Sequence, residues 1–170
     1  MNFENIKQHL TKDTTRLFCV LDGASVPLLP KRLYESQAAN FCLFTGDLEP
    51  DMLYAAPYVV HLDPDNTLTD WVLGEGFGKH WGIFLHSRFS LQKLRLQFQS
   101  LVNVYDENAK SLIFRFYDPR VLSKFLPTCT PEEIDTMFGY VDTFFAESEK
   151  GESLLSFGRE NGKLKQSELK

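Results

Sequence analysis

Cysteine is scarce in this 170-residue chain: Cys19, Cys42 and Cys129 are all it has, and no two of them show Cys-x-x-Cys spacing. An odd, scattered set of that kind excludes a disulfide framework and offers no zinc pattern. Long apolar runs are also missing, since none approaches the ~18 to 20 residues of a membrane span. The opening Met1-Asn2-Phe3-Glu4-Asn5 lacks the basic-then-apolar layout of a signal peptide, so a cytoplasmic location is expected. Clustered Lys and Arg are absent before the C-terminal stretch and the formal net charge is −5, which argues against DNA or RNA as a partner.

What is abundant is ring surface. Hydrophobic residues make up 43% and aromatics 14% against 24% charged, a globular composition, and the 15 Phe must go into a core or onto a partner. The length suits one domain.

The pattern of the chain alternates short β-rich runs with amphipathic segments. Arg16 to Leu21, Asn40 to Phe44, Tyr58 to Leu62 and Trp81 to His86 read as strands. Helices are expected over Phe3 to Leu10, from near Pro30, over Asp51 to Ala55, over Thr67 to Leu73 behind an Asp65 or Asn66 cap, and after Ser90. Val102 to Tyr105 and Leu112 to Tyr117 read as a hairpin, whose second arm would send Phe114 and Phe116 to one face and Arg115 and Tyr117 to the other. Asp118-Pro119 predicts an N-cap and first helical residue, and Thr130-Pro131-Glu132-Glu133 a capping box for a helix ending at Gly139. Val141 to Phe145 fits either a strand or a helical continuation. The expected fold is α/β or α+β, a single domain with a mixed β-sheet flanked by helices, spanning 1–147; residues 148–170 read as a weakly specified polar tail.

No complete catalytic set emerges. Gly74-Glu75-Gly76-Phe77-Gly78-Lys79 resembles a phosphate loop only superficially: Leu73 stands where the first Walker glycine belongs, His80 follows Lys79, and the order is helix, glycines, strand. Its expected work is a sharp turn with Gly76 and Gly78 at positive φ. His61, Asp63 and His80 could serve a small hydrolase or transferase, the alternative enzyme reading, although no His-x-His, His-x-x-x-His or Gly-x-Ser-x-Gly spacing supports it. No cofactor and no metal site are expected. The densest mixture of rings and charges is Phe114-Arg115-Phe116-Tyr117-Asp118-Pro119-Arg120, in which Arg115, Tyr117 and Arg120 are the residue types of interface anchors.

Several ordered segments carry a resemblance: Val20-Leu21-Asp22-Gly23-Ala24, Ala55-Ala56-Pro57-Tyr58-Val59-Val60, Trp81-Gly82-Ile83-Phe84-Leu85, Ser90-Leu91-x-x-Leu94-Arg95, and Phe114 to Leu122 continued by Phe125 to Glu132. Together they resemble the type VI secretion effector-chaperone or adaptor family, long catalogued as a domain of unknown function. The resemblance implies a non-catalytic cytoplasmic adaptor that binds the N-terminal segment of a toxin effector and helps load it onto the C-terminal end of the VgrG spike.

Overall fold

The computed structural model describes residues 3–12 and 15–169. Helix α1 (Phe3–Thr11) is followed by β1 (Arg16–Asp22), α2 (Leu29–Ser36), β2 (Asn40–Cys42), α3 (Pro50–Ala55), β3 (Pro57–His61), α4 (Thr67–Glu75), β4 (Gly82–Ser87) and α5 (Leu91–Val102). A hairpin of β5 (Asn103–Tyr105) and β6 (Ser111–Ile113) leads to α6 (Pro119–Phe125), a 3-10 turn over Leu126–Thr128, α7 (Pro131–Phe138), β7 (Thr143–Glu147), β8 (Leu154–Glu160) and β9 (Lys163–Leu169). Apart from the hairpin, the strands form one sheet in the order β2-β3-β1-β4-β7-β8-β9.

Alternation along β1 sends Leu17, Cys19 and Leu21 to one core and Phe18 and Val20 to the other. On the first face α1, α2 and α4 contribute Leu10, Leu33 and Val72; on the second, α5, α6 and α7 contribute Phe98, Leu122 and Phe138. Helices thus cover both faces of the sheet in a single unit, the expected arrangement. The sheet itself is antiparallel in every pairing of the described residues, where a mixed one was expected. A strand buried on both faces is a continuous apolar run whichever way its neighbours point, so the sequence pattern does not encode strand direction.

The expected helix starts are present as hydrogen bonds. Asn66 Oδ1 accepts from the Leu68 amide at 2.8 Å, and Thr130 and Glu133 exchange the two bonds of a capping box at 3.3 and 2.7 Å. Three further expectations need correction. Gly78 has φ +85, but Gly76 is right-handed at φ −83, and glycine is required there because a Cβ would run into the Val72 carbonyl and the Trp81 ring. The second hairpin arm stops at Ile113, and Phe114 to Asp118 form a turn closed by Asp118 N donating to Arg115 O at 3.0 Å. The third concerns the end of the chain.

Residues 154–169 are not a loose tail. β8 pairs with β7 from Glu147↔Leu154 to Thr143↔Gly158, β9 pairs with β8, and the Leu154 and Phe157 side chains are fully buried. The turn between them is Asn161-Gly162 at φ +54 and +73, the two-residue geometry whose twist matches that of paired strands. Val141 to Phe145 resolves in favour of a strand, β7, which lies beside β4 well inside the sheet.

Candidate protein-binding site at one end of the sheet

Strand β1 ends on Asp22, and three strand ends meet there. The Asp22 amide donates to Trp81 O at 2.8 Å, just before β4, and the Gly23 amide donates to Ala56 O at 3.0 Å, just before β3. Backbone approach is so close that a Cβ on Gly23 would collide with the carbonyls of Tyr54 and Ala56, which is why glycine follows Asp22. The Asp22 carboxylate is only 2% exposed and accepts from Ser25 Oγ at 2.7 Å, from the Ala24 amide at 3.2 Å and from Arg115 Nη2. The segments of Ala56 and Trp81 thus meet this strand end through its backbone, and Arg115, 93 residues away, reaches the carboxylate itself.

Arg115 reaches Asp22 from the turn before α6, and Arg120 reaches Asp118 from the first turn of that helix. Asp118 is the N-cap: its Oδ1 accepts from the Arg120 amide at 2.9 Å and from Arg120 Nε at 3.0 Å, and Oδ2 accepts from Nη2 at 2.7 Å. Burial pushes the Asp118 carboxyl up, but these bonds and the two guanidinium charges outweigh it and hold the group below the usual carboxylate range. Both carboxylates are buried and both guanidinium groups are about half exposed. The anions point inward and the forked cations outward, each with N–H groups left for a partner.

Of the residues expected on a recognition surface, Arg115 and Arg120 are at the surface and Tyr117 is not. Tyr117 is 2% exposed, packs edge-on to Phe116 at 5.8 Å, and has its hydroxyl pushed up to about 12 by burial and by the Asp22 charge. The strict two-residue alternation that would have turned it outward ends with β6. Exposed apolar side chains instead come from Met52, Leu53 and Tyr54 of α3, whose last residues abut Gly23, and from Leu28. Only their local sequence was available as a signal, and a short segment in front of a proline-led strand does not reveal which end of the sheet it lines.

His61, Asp63 and His80 are not brought together. His61 pairs with Phe18 near the start of β1, with Asp63 just beyond, whereas His80 precedes β4 at the opposite end, where Leu21 pairs with Gly82. His61 stacks against Phe18 at 5.1 Å, and burial lowers its affinity for a proton. Asp63 serves its own turn, accepting from the Asp65 amide at 3.0 Å. Among the described residues no group of three or more His, Cys, Asp or Glu could hold a metal ion.

Glu147 is the one carboxylate with no part in the sequence reading that turns out to matter for the glycine loop. It is 2% exposed at the end of β7, accepts from the His80 amide at 3.2 Å and from the Gly78 amide, and lies 3.2 Å from His80 Nδ1 outside hydrogen-bond angles. Burial raises its carboxyl to about 7. The loop therefore does hold a carboxyl group with its amides, but that group is part of the chain.

With this geometry in place, comparison with protein families gives one finding: residues 17–136, more than half of the chain, match the domain of unknown function DUF4123. The chain belongs to this family. The DUF4123 match covers β1 to β4, the hairpin, α6 and most of α7, so Asp22, Arg115, Asp118 and Arg120 all fall inside it, while β7, β8 and β9, which complete the sheet, lie beyond it. Comparison with curated proteins and with solved structures gives no match. No helix of the described residues is long and apolar enough to cross a membrane.

Proposed function

We propose that this DUF4123 protein is a non-catalytic cytoplasmic adaptor or chaperone of type VI secretion, which holds a toxin effector by its N-terminal segment and helps load it onto the C-terminal end of the VgrG spike. The observation that carries the reading is the convergence at one end of the sheet: Asp22-Gly23-Ala24, Ala55-Ala56-Pro57, Trp81-Gly82 and Phe114 to Arg120, the segments of the family resemblance, meet around the Asp22–Arg115 pair. At this junction each carboxylate is bonded to a guanidinium group. The junction offers two anchored guanidinium forks, and α3, whose end abuts Gly23, exposes Met52, Leu53 and Tyr54; Arg, Tyr and apolar surface are the residue types of contact anchors.

The deciding experiment is co-purification of the wild type and an Arg115→Ala, Arg120→Ala double variant with a VgrG spike protein and a type VI toxin from the same genome, after circular dichroism shows that the variant folds. Capture of either partner by the wild type and its loss in the variant is the expected result. If the folded variant keeps wild-type affinity, the surface is elsewhere; if the wild type captures neither, the adaptor role fails.

A further inference from the structure

Strand β2 is the outer strand of the sheet next to β3. Its inward bonds run from His61 N to Ala39 O and from Leu43 N to Pro57 O, both at 2.9 Å, so residues 39, 41 and 43 serve the ladder. By the alternation of an antiparallel pair, the N–H and C=O of Asn40 and Cys42 then face the open edge. The opposite edge, β9, carries Lys163, Lys165 and Glu168, charges of the kind that discourage strand addition. The run Asn40-Phe41-Cys42-Leu43-Phe44 carries no charge.

Helix α5 lies against this edge and presents donors without acceptors. The Arg95 guanidinium sits over the Phe41 ring at 4.7 Å, and its Nε, like Gln99 Nε2 one turn further along, is buried and has no hydrogen-bond partner among the described residues. Positions four apart share one flank of a helix, so Arg95 and Gln99 are neighbours on α5. Buried donors left unpaired are costly and rare in native proteins, and a guanidinium favours an anionic acceptor. A free anion would answer the two donors and leave the strand edge open. An extended chain with an acidic side chain answers both.

We propose that the β2 edge and the Arg95–Gln99 flank of α5 form a docking groove for an extended segment of a partner polypeptide, which adds as an eighth strand and sets an Asp or Glu carboxylate on Arg95 and Gln99. The groove shares no residue with the Asp22–Arg115 junction, and the inference does not depend on which protein the partner is.

The test uses a displayed library of random linear peptides selected on the full-length protein. Enriched peptides should alternate β-forming residues with an Asp or Glu at a fixed position. A synthetic peptide of the winning sequence should slow hydrogen exchange at the Cys42 amide, and Arg95→Met, which keeps the stem over Phe41 and removes the charge, should weaken its binding about tenfold or more. Should Arg95→Met fail to fold, Arg95→Lys keeps charge and stem without the fork, and a several-fold loss is expected. Absence of any enriched peptide overturns the proposal, as does a peptide whose affinity is unchanged in the folded variant or that leaves Cys42 exchange untouched. A Cys42 amide already protected in a dimer of the chain alone would also overturn it, assigning the edge to self-association.

Discussion

Glu147 should make this protein lose stability as pH rises through neutrality. An unfolded glutamate releases its proton near 4.5, whereas burial at the end of β7 holds the Glu147 proton up to about 7. Between those values the native state binds a proton that the unfolded state has lost, so the contribution is fully present below 4.5 and disappears as pH climbs through about 7. At about 1.4 kcal/mol per tenfold, the full difference is roughly 3 kcal/mol, a large part of a domain's usual stability. Glu147→Gln keeps an acceptor for the Gly78 and His80 amides and carries no charge at any pH. Urea unfolding of both proteins from pH 4 to 8 should show nearly equal stability at the acid end and a variant more stable by up to roughly 3 kcal/mol at the basic end. The difference between the two proteins is the quantity to read, because His61, with its lowered proton affinity, pushes the wild-type profile the opposite way. His80 faces the same Glu147 oxygen, so the comparison is repeated in His80→Asn, where the divergence should persist. A Gln variant less stable than wild type at pH 8 would refute the reasoning, since it would mean that the loop amides stabilise the carboxylate more than burial penalises it.

Three further outcomes are expected. Asp118→Ala removes the N-cap of α6 and the partner of Arg120 together and should cost about 1 to 2 kcal/mol in chemical denaturation. Gly23→Ala should lower the melting temperature more than Gly158→Ala, because a Cβ at position 23 meets two carbonyls while one at 158 meets open space. Gly162→Ala, at φ +73 with open space around it, should cost about 1 kcal/mol through backbone strain alone, and hydrogen exchange should report that loss first in β8 and β9.

The fold was legible wherever a short-range physical signal exists. Strands β1, β3 and β4 stand out because unbroken apolar runs are needed when helices cover both faces, and α4, α6 and α7 announce themselves through Asn66, Asp118 and Thr130, whose side chains accept from the first-turn amides. Strand direction and order depend on which distant segments pair, and nothing local encodes that. β9 escaped for a different reason. As an edge strand it buries almost nothing, so Lys163-Leu164-Lys165-Gln166-Ser167-Glu168-Leu169 lacks the alternation of a half-buried strand, and polarity outweighed the hairpin signal of Asn161-Gly162.

The candidate site was legible in part for the same reason. Arg115 and Arg120 could be singled out as unusual charges among rings, but the partner that organises Arg115 lies 93 residues away, and an aspartate ending an apolar strand is common enough to pass without notice. The error over Tyr117 is instructive because it follows from a single missing turn. Periodicity assigns faces only as long as the strand lasts, and β6 ends one residue before Phe114. After that point Phe116 and Tyr117 are buried side by side in sequence, which no strand could achieve against one core. The turn that buries them is also what carries Arg115 back to Asp22 and sets Asp118 at the head of α6. One irregular stretch therefore fixes both arginines, and its irregularity is the reason the surface is built from guanidinium groups and the apolar side chains of α3 rather than from its own tyrosine.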